Sequence, residues 1–148
     1  MEWTKDDYTV TTDKSRIDVP YVHRFLSSVY WSEGIPLEVV QRSIEGSLCF
    51  GVIHNEQQVG FARVITDEAT FGYLADVFID EAYRGRGLSK WLMKCIMSYP
   101  SLQGLRRFML ATRDAHGLYG QFGFGPITNV DRWMQIHLPD IYKHQNAS

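Results

Sequence analysis

The chain has 148 residues, of which 45% are hydrophobic and 22% are charged, and this composition excludes a disordered protein. The length is that of one ordinary domain, so we expect a single domain over residues 1–148. Lys and Arg total 15 and Asp and Glu total 17, which gives a net charge of −2. A general nucleic-acid binder needs excess positive charge, so that class is excluded.

Targeting and cysteine patterns point to a cytoplasmic protein. No apolar run reaches the roughly 20 residues that cross a bilayer, and the first residues are charged, so we expect no membrane partner. Cys49 and Cys95 lie in apolar runs, which predicts buried free thiols rather than a disulfide. The metal-binding spacings CxxC, HxH and HExxH do not occur, so no metal site is predicted.

Predicted strands and helices follow one another along the whole chain. Alternating or short continuous apolar runs predict strands, and apolar residues three and four positions apart predict helices. In chain order the elements are a strand at 8–12, helices at 18–29 and 37–44, strands at 48–53, 58–65 and 73–79, a helix at 89–98, a strand at 108–112, a helix at 116–122 and a strand at 133–138. Asp18 is the candidate N-cap of the first helix, and a turn at 55–57 predicts a hairpin. The polar end from Lys143 to Ser148 is expected to fray.

The loop between the fourth predicted strand and the third predicted helix carries the clearest chemical signal. Gly85 and Gly87 let backbone N–H groups approach a ligand, the helix that follows offers unpaired N–H groups, and Arg84 and Arg86 add positive charge. These features favour a pyrophosphate. Lys90 stands where a dinucleotide-binding GxGxxG motif needs its third glycine, and the P-loop pattern does not occur. The alternative is a plain strand-to-helix turn with solvated arginines.

This loop resembles motif A of the GNAT superfamily of N-acetyltransferases. The family signature, Gln/Arg-x-x-Gly-x-Gly/Ala, is filled here by Arg84, Gly87 and Ser89, and Ser89 departs from the usual Gly or Ala. The run 115–124 resembles motif B, in which a helix carries a tyrosine, here Tyr119, and closes on a Gly-Phe pair. The separation of the two motifs and the order of the elements are similar to the family over nearly the whole chain.

The resemblance implies a mixed α/β (α+β) fold. A mostly antiparallel central sheet of six or seven strands is expected, flanked by about four helices and splayed between the fourth and fifth strands, here 73–79 and 108–112. It also implies acetyl-CoA as the cosubstrate. Its pyrophosphate is expected to lie against Arg84, Gly85, Arg86, Gly87, Leu88 and Ser89. Its pantetheine arm is expected to pair with the backbone of Val77, Phe78 and Ile79, and its thiol to lie near Tyr119.

Two catalytic roles are implied. Tyr119 is expected to protonate the departing CoA thiolate or to hydrogen-bond its sulfur, and a buried aromatic residue is the alternative. The candidate bases are Asp76, Tyr73, Glu33 and His116. Asp76 stands in an otherwise apolar strand, where a carboxylate must face a cleft or be paired. It either binds a cationic amine, relays a proton through water or makes a structural hydrogen bond.

The acceptor site of similar proteins lies largely between the first two helices, here in the loop 29–36. Tyr30 and Trp31 are expected to form an apolar or cation–π wall, while Glu33 and Asp76 attract an ammonium group; aromatic side chains tucked into the core are the alternative. The implied function is transfer of an acetyl group from acetyl-CoA to the primary amine of a small molecule, by direct attack in a ternary complex.

Three other functions remain open: a protein or peptide N-acetyltransferase, a non-catalytic acyl-CoA-binding module, and a transferase with another acyl donor. Ala75 stands where some relatives carry the first of two acidic residues, and Thr112 stands where relatives usually carry Asn. Similar proteins commonly form dimers, so a homodimer is left open as the partner state.

Overall fold

The computed structural model describes residues 1–145, and its centre is one six-stranded sheet in sequence order. The strands are β1 (Glu2–Lys5), β2 (Tyr8–Thr11), β3 (Leu48–His54), β4 (Gln57–Thr66), β5 (Phe71–Ile79) and β6 (Arg107–Leu110). The helices are α1 (Val19–Leu26), α2 (Leu37–Glu45), α3 (Leu88–Ser98), α4 (His116–Gly120) and α5 (Ile141–Gln145). The end predicted to fray overlaps α5, and its last three residues, 146–148, lie outside the described range.

Local signals placed several boundaries correctly. Asp18 is the N-cap of α1, and its carboxylate accepts a hydrogen bond from the Tyr21 backbone N–H at 3.0 Å. The β3–β4 hairpin turns through Asn55 and Glu56, which both have positive φ, at 50° and 67°. This is the left-handed backbone that a two-residue hairpin loop requires.

Helices cover both faces of the sheet. The buried side chains of α3 pack on one face, and those of α1 and α2 pack on the other. Two separate apolar clusters result, one on each side of β3, β4 and β5. Burial on both faces explains why β5 is a nearly continuous apolar run in the sequence.

The sheet opens between β5 and β6, as the resemblance implied. All other neighbouring strands are antiparallel, but β5 and β6 are parallel, and their register ends at the pair Leu74–Leu110. Strand β5 continues to Ile79 without a partner on that side among the described strands. The two strands therefore separate over the second half of β5.

Two elements differ from the sequence-based expectation. Strand β1 was not predicted, because it is a short, charged edge strand whose residues are mostly exposed and show no apolar face. The predicted strand Trp133–Leu138 is wrong: the segment has no regular structure and pairs with no described strand. Alternation indicates that a segment is suited to a half-buried sheet, but a strand also needs a neighbouring backbone to bond with.

Both cysteines are buried free thiols, as predicted. Burial raises the pKa of Cys49 and of Cys95 to about 11, so both thiols stay protonated at pH 8. We therefore expect the native protein to be inert to Ellman's reagent at pH 8, whereas both thiols react once the chain is unfolded in guanidinium. Rapid reaction of either thiol in the native protein would contradict this packing.

Candidate active site

A cavity of about 250 Å³ lies at the N-terminus of α3. Gly85 and Gly87 have φ of 79° and 76°, and Gly87 is the N-cap of α3 without a side-chain cap. A Cβ at either position would meet no atom within 4 Å, so the backbone faces open space. The first N–H groups of a helix have no intrahelical acceptor, and here they border that space. Its lining includes six of the predicted cofactor residues: Ile79, Arg84, Gly85, Gly87, Leu88 and Ser89.

The two arginines of this loop point in different directions. Arg84 lines the cavity, and its Nε donates a hydrogen bond to the Ile79 carbonyl oxygen at 3.0 Å. Arg86 does not line it; its Nη1 donates to the Tyr8 hydroxyl at 3.1 Å, and its guanidinium lies 5.2 Å from the centre of the Tyr83 ring. Positive charge at the cavity lining therefore comes from Arg84 and, unexpectedly, from Lys90.

The second half of β5 has one backbone edge without a partner among the described strands, while its side chains are held. Phe78 and Ile79 are each 5% exposed, and the Phe78 ring stacks on Phe25 with centroids 3.8 Å apart. Val77, which packs against the α3-side cluster, is half-buried. Because β6 has diverged by this point, the edge of 77–79 that faces β6 meets no strand of the described chain. A fixed strand with a free edge is suited to pairing with an extended ligand.

A larger cavity, about 730 Å³ in volume, runs along β6 and reaches α4. Tyr119, His116 and Thr112 line it. The Tyr119 ring meets Phe124 in an edge-to-face contact at 6.2 Å, and burial raises the pKa of its phenol. The preceding residue, Leu118, lines the smaller cavity, so α4 borders both spaces.

Asp76 is the centre of a partly buried polar network. It lies at a β-bulge, where Phe61 pairs with Phe78 but Arg63 pairs with Ala75, and its own φ is 55°. One carboxylate oxygen accepts from the Arg63 Nε at 2.6 Å. The side chains of Asp76 and Arg63 are only 10% and 17% exposed, so the two charges compensate each other away from bulk water.

Two of the predicted acceptor residues, Tyr30 and Trp31, lie at one end of this network. The Trp31 indole N–H donates to the other Asp76 oxygen at 2.9 Å. Tyr30 meets Trp31 edge-to-face at 5.2 Å, and the Arg113 guanidinium stacks 3.9 Å from the centre of the Tyr30 ring. Glu33 instead pairs with Lys143 at 3.6 Å, with both side chains about half exposed.

Sequence reasoning missed three residues of this region. Arg63 donates a second hydrogen bond, from Nη1 to the Ser47 hydroxyl at 3.1 Å, and Arg113 covers Tyr30. The signal for Arg63 was present: it is a single charge in an apolar strand, as Asp76 is in the next strand. Two opposite charges of that kind indicate a buried pair. No comparable local signal marked Ser47 or Arg113.

A comparison with known families tests the resemblance. The model of the acetyltransferase (GNAT) family matches residues 6–124, which include the loop at α3, the Asp76 network and α4. The chain belongs to the GNAT acetyltransferase family. A Gibberella zeae protein assigned as an acetyltransferase is 34% identical over 144 residues, covering 82% of this GNAT chain and 80% of its own length.

Solved structures of GNAT proteins agree with this fold. A crystal structure from Xanthomonas campestris pv. campestris, of a protein assigned to the same family, is 50% identical with a TM-score of 0.91. It covers 94% of this chain and 99% of its own. Glucosamine-6-phosphate N-acetyltransferase from Arabidopsis thaliana is 14% identical, with a TM-score of 0.62 and coverage of 90% and 98%, and so shares the fold alone.

Two general features of this GNAT chain bear on the class of site. The described residues contain no group of three or more His, Cys, Asp and Glu side chains arranged to hold a metal ion. Within the part of the chain that the structure covers, no helix is long and apolar enough to cross a membrane.

Proposed function

We propose that this GNAT protein transfers an acetyl group from acetyl-CoA to the primary amine of a small molecule, by direct attack in a ternary complex. The observation that carries the proposal is the cavity at the N-terminus of α3, whose glycine backbone and helix N–H groups suit a pyrophosphate. The chain is proposed to act as one domain in the cytoplasm, where its two buried cysteines stay thiols.

The residues at this cavity fit the pyrophosphate of CoA in shape and charge. Open space at Gly85 and Gly87 lets phosphate oxygens reach backbone N–H groups, and the helix dipole favours negative charge there. Arg84 supplies a guanidinium and Ser89 a hydroxyl at the lining. The buried Leu88 side chain anchors the first turn of α3 in the core.

The free edge of β5 is the proposed partner of the pantetheine arm. Val77, Phe78 and Ile79 border the opening between β5 and β6, and an extended arm can pair with the backbone groups of Val77 and Ile79 as an added half-strand, because Phe78 pairs with Phe61 in β4. The bond from Arg84 to the Ile79 carbonyl fixes the end of this edge. Because Tyr8 holds the Arg86 side chain, the proposed contribution of Arg86 is through its backbone.

Tyr119 is the proposed general acid. Burial disfavours the phenolate, so the raised pKa keeps the phenol protonated at neutral pH and able to donate to a departing thiolate. Its place on the lining of the cavity beside β6 leaves room for a reacting group in front of it.

Asp76 is proposed as the acceptor-side carboxylate. Arg63 and Trp31 each donate to one of its oxygens, which fixes its orientation and leaves further lone pairs for an amine or a bridging water. The charge of Arg63 offsets that of Asp76, so proton relay through water suits this site better than direct pairing with an ammonium group. Tyr30 and Trp31 supply the aromatic wall, and Glu33 supplies an exposed negative charge beside it.

The contacts that hold Tyr30 and Trp31 in place favour a small-molecule acceptor over a protein acceptor. The Trp31 indole is tied to the sheet through Asp76, and Arg113 stacks on Tyr30 from the loop after β6. Side chains held from two separate elements form a fixed wall, which suits a small acceptor, whereas a peptide acceptor needs an open groove. We also propose that the protein forms a homodimer.

Calorimetric titration with acetyl-CoA tests the cofactor site through matched glycine variants. Gly87 and Gly104 both have φ of 76° and open space where a Cβ would stand, but Gly104 lies outside the cavity lining. Alanine at either position should lower the free energy of unfolding by about 1–2 kcal/mol, because both force left-handed backbone. Only Gly87→Ala should also weaken acetyl-CoA binding, by about tenfold or more.

Pantetheine, which lacks the pyrophosphate, is the ligand control. Its Kd should be far higher than that of acetyl-CoA, and should be the same for the wild type and for Gly87→Ala. Equal loss of acetyl-CoA affinity in the two glycine variants, or no binding at millimolar concentration, would contradict the proposed site. Tight binding without turnover of any amine would favour the acyl-CoA-binding module.

A further inference from the structure

Arg113, in the loop after β6, carries a positive charge that no described carboxylate neutralises by contact. Its guanidinium lies 3.9 Å from the centre of the Tyr30 ring, and it makes no ion pair or hydrogen bond with another described residue. The adjacent carboxylate, Asp114, is exposed and does not pair with it. Because the stack occupies the face of the planar guanidinium, the N–H donors along its edge stay available.

Other charges beside the aromatic wall of Tyr30 and Trp31 are already compensated. Arg63 pairs with Asp76 at 2.6 Å. In the same way, Lys143 pairs with Glu33 at 3.6 Å. Each pair adds no net charge to the wall, whereas the guanidinium stacked on Tyr30 keeps its charge available for a ligand.

The wall joins the two sides of the opening between β5 and β6. The Trp31 indole N–H donates to Asp76, which lies beyond the last pair of β5 with β6, at Leu74. The Tyr30 ring centre lies 5.2 Å from that of Trp31, and the same ring contacts Arg113 in the loop that follows β6. An acceptor resting on this wall therefore meets a carboxylate on the β5 side and a guanidinium on the β6 side.

Both rings of the wall are accessible to a ligand. Tyr30 is 52% exposed and Trp31 is 41% exposed, although each is held by the contacts described above. Large aromatic side chains that are fixed and yet exposed are typical of binding surfaces. The rings therefore offer an apolar surface to the part of an acceptor that joins its two ends.

We propose that the acceptor is an amine that carries a carboxylate at its other end, and that Arg113 selects it. This inference rests on the proposed acetyl transfer and names the class of its acceptor. The amine lies toward Asp76, and the acceptor carboxylate accepts two hydrogen bonds from the Arg113 guanidinium. A carboxylate matches a single guanidinium in charge, whereas a phosphate monoester carries about −1.5 to −2 and suits a cluster of arginines.

Calorimetric titration of the full chain, with and without CoA, tests this selection in the absence of turnover. The probes are straight-chain ω-amino acids of increasing length, each compared with its primary amide, so that the amine and the length are matched and only the charge differs. We expect at least one acid to bind about tenfold more tightly than its amide, and the difference to shrink as salt is added. If no acid binds more tightly than its amide, the proposal is wrong.

Arg113→Gln separates a role in binding from a role in holding Tyr30. This variant should raise the Kd of the selected acid about tenfold and leave the Kd of its amide unchanged. If the two Kd values rise together, Arg113 acts only through the position of the ring, and the proposal fails. Arg106→Gln is the matched control, because Arg106 is an exposed arginine just before the opposite end of β6, and it should leave both Kd values unchanged.

Turnover with acetyl-CoA distinguishes this proposal from the proposed function. The acid should be acetylated with a lower KM than its amide, and Arg113→Gln should raise the KM of the acid alone. Acid binding that depends on Arg113, without acetylation by the wild type, would support the carboxylate site and contradict acetyl transfer. Acetylation of acid and amide with equal KM in the wild type would support acetyl transfer and overturn the carboxylate site.

Discussion

Replacing Tyr119 with Phe should lower kcat for acetyl transfer about a hundredfold or more, with the Kd for acetyl-CoA unchanged. The variant keeps the ring and its contact with Phe124 but loses the proton that the phenol donates. Steady-state kinetics and calorimetry on the same preparation measure the two quantities.

The pH dependence of kcat tests the acid role of Tyr119 independently. Burial raises the pKa of the Tyr119 phenol, so the wild type keeps its acid form through neutral pH. As the pH rises through that raised pKa the proton is lost, and kcat should fall on the alkaline side. The residual rate of Tyr119→Phe should lack this alkaline fall, because the titrating group has gone.

Tyr99→Phe is the matched control. Tyr99 is also half-buried and also loses only a hydroxyl, but its ring packs against Trp3 and Phe50 on the α3 side. Its kcat should equal that of the wild type. A Tyr119→Phe enzyme with normal kcat would remove Tyr119 from the acid role, whereas a loss of acetyl-CoA affinity would show that it acts in binding.

Breaking the Arg63–Asp76 ion pair should destabilise the protein more than the glycine substitutions do. Replacing Arg63 with Met leaves the Asp76 carboxylate, only 10% exposed, without its cation, and should lower the free energy of unfolding by about 3 kcal/mol. Arg63→Met with Asp76→Leu removes both charges, so the double variant should be more stable than the sum of the two single losses predicts. Urea unfolding followed by circular dichroism measures each value.

The Arg16–Glu2 pair is a control of matching geometry. Its N–O distance is 2.7 Å, against 2.6 Å for Arg63–Asp76, but its side chains are 38% and 46% exposed. Water already solvates these charges, so Arg16→Met should change stability far less than Arg63→Met. Similar losses for the two variants would show that burial does not determine the strength of the Arg63–Asp76 pair.

Local chemistry made parts of the site predictable. Gly85 and Gly87 were predicted to let a ligand approach the backbone at the strand-to-helix turn; they have positive φ values and border the cavity at α3. Asp18 caps α1 because a short acidic side chain can reach the first N–H groups of a helix. These features depend on a few adjacent residues, so they could be predicted from the sequence alone.

Contacts between distant segments were predictable only in part. The lone charges of Arg63 and Asp76 indicated that each needed a partner, but their pairing depends on the register of β4 and β5 and on the bulge at Asp76. The attachment of Trp31 to Asp76 spans 45 residues, and nothing in the loop itself predicts it.

By itself the sequence determined the order of most strands and helices, the loop at α3, and membership of the GNAT family through motifs that lie on short continuous segments. The resemblance implied that β5 and β6 splay apart, but only the tertiary structure decided that they separate after Leu74, and that Trp133–Leu138 has no strand partner among the described residues. Both have the same physical reason. An apolar pattern indicates which face of a segment is buried, whereas backbone pairing requires a second segment within hydrogen-bonding distance.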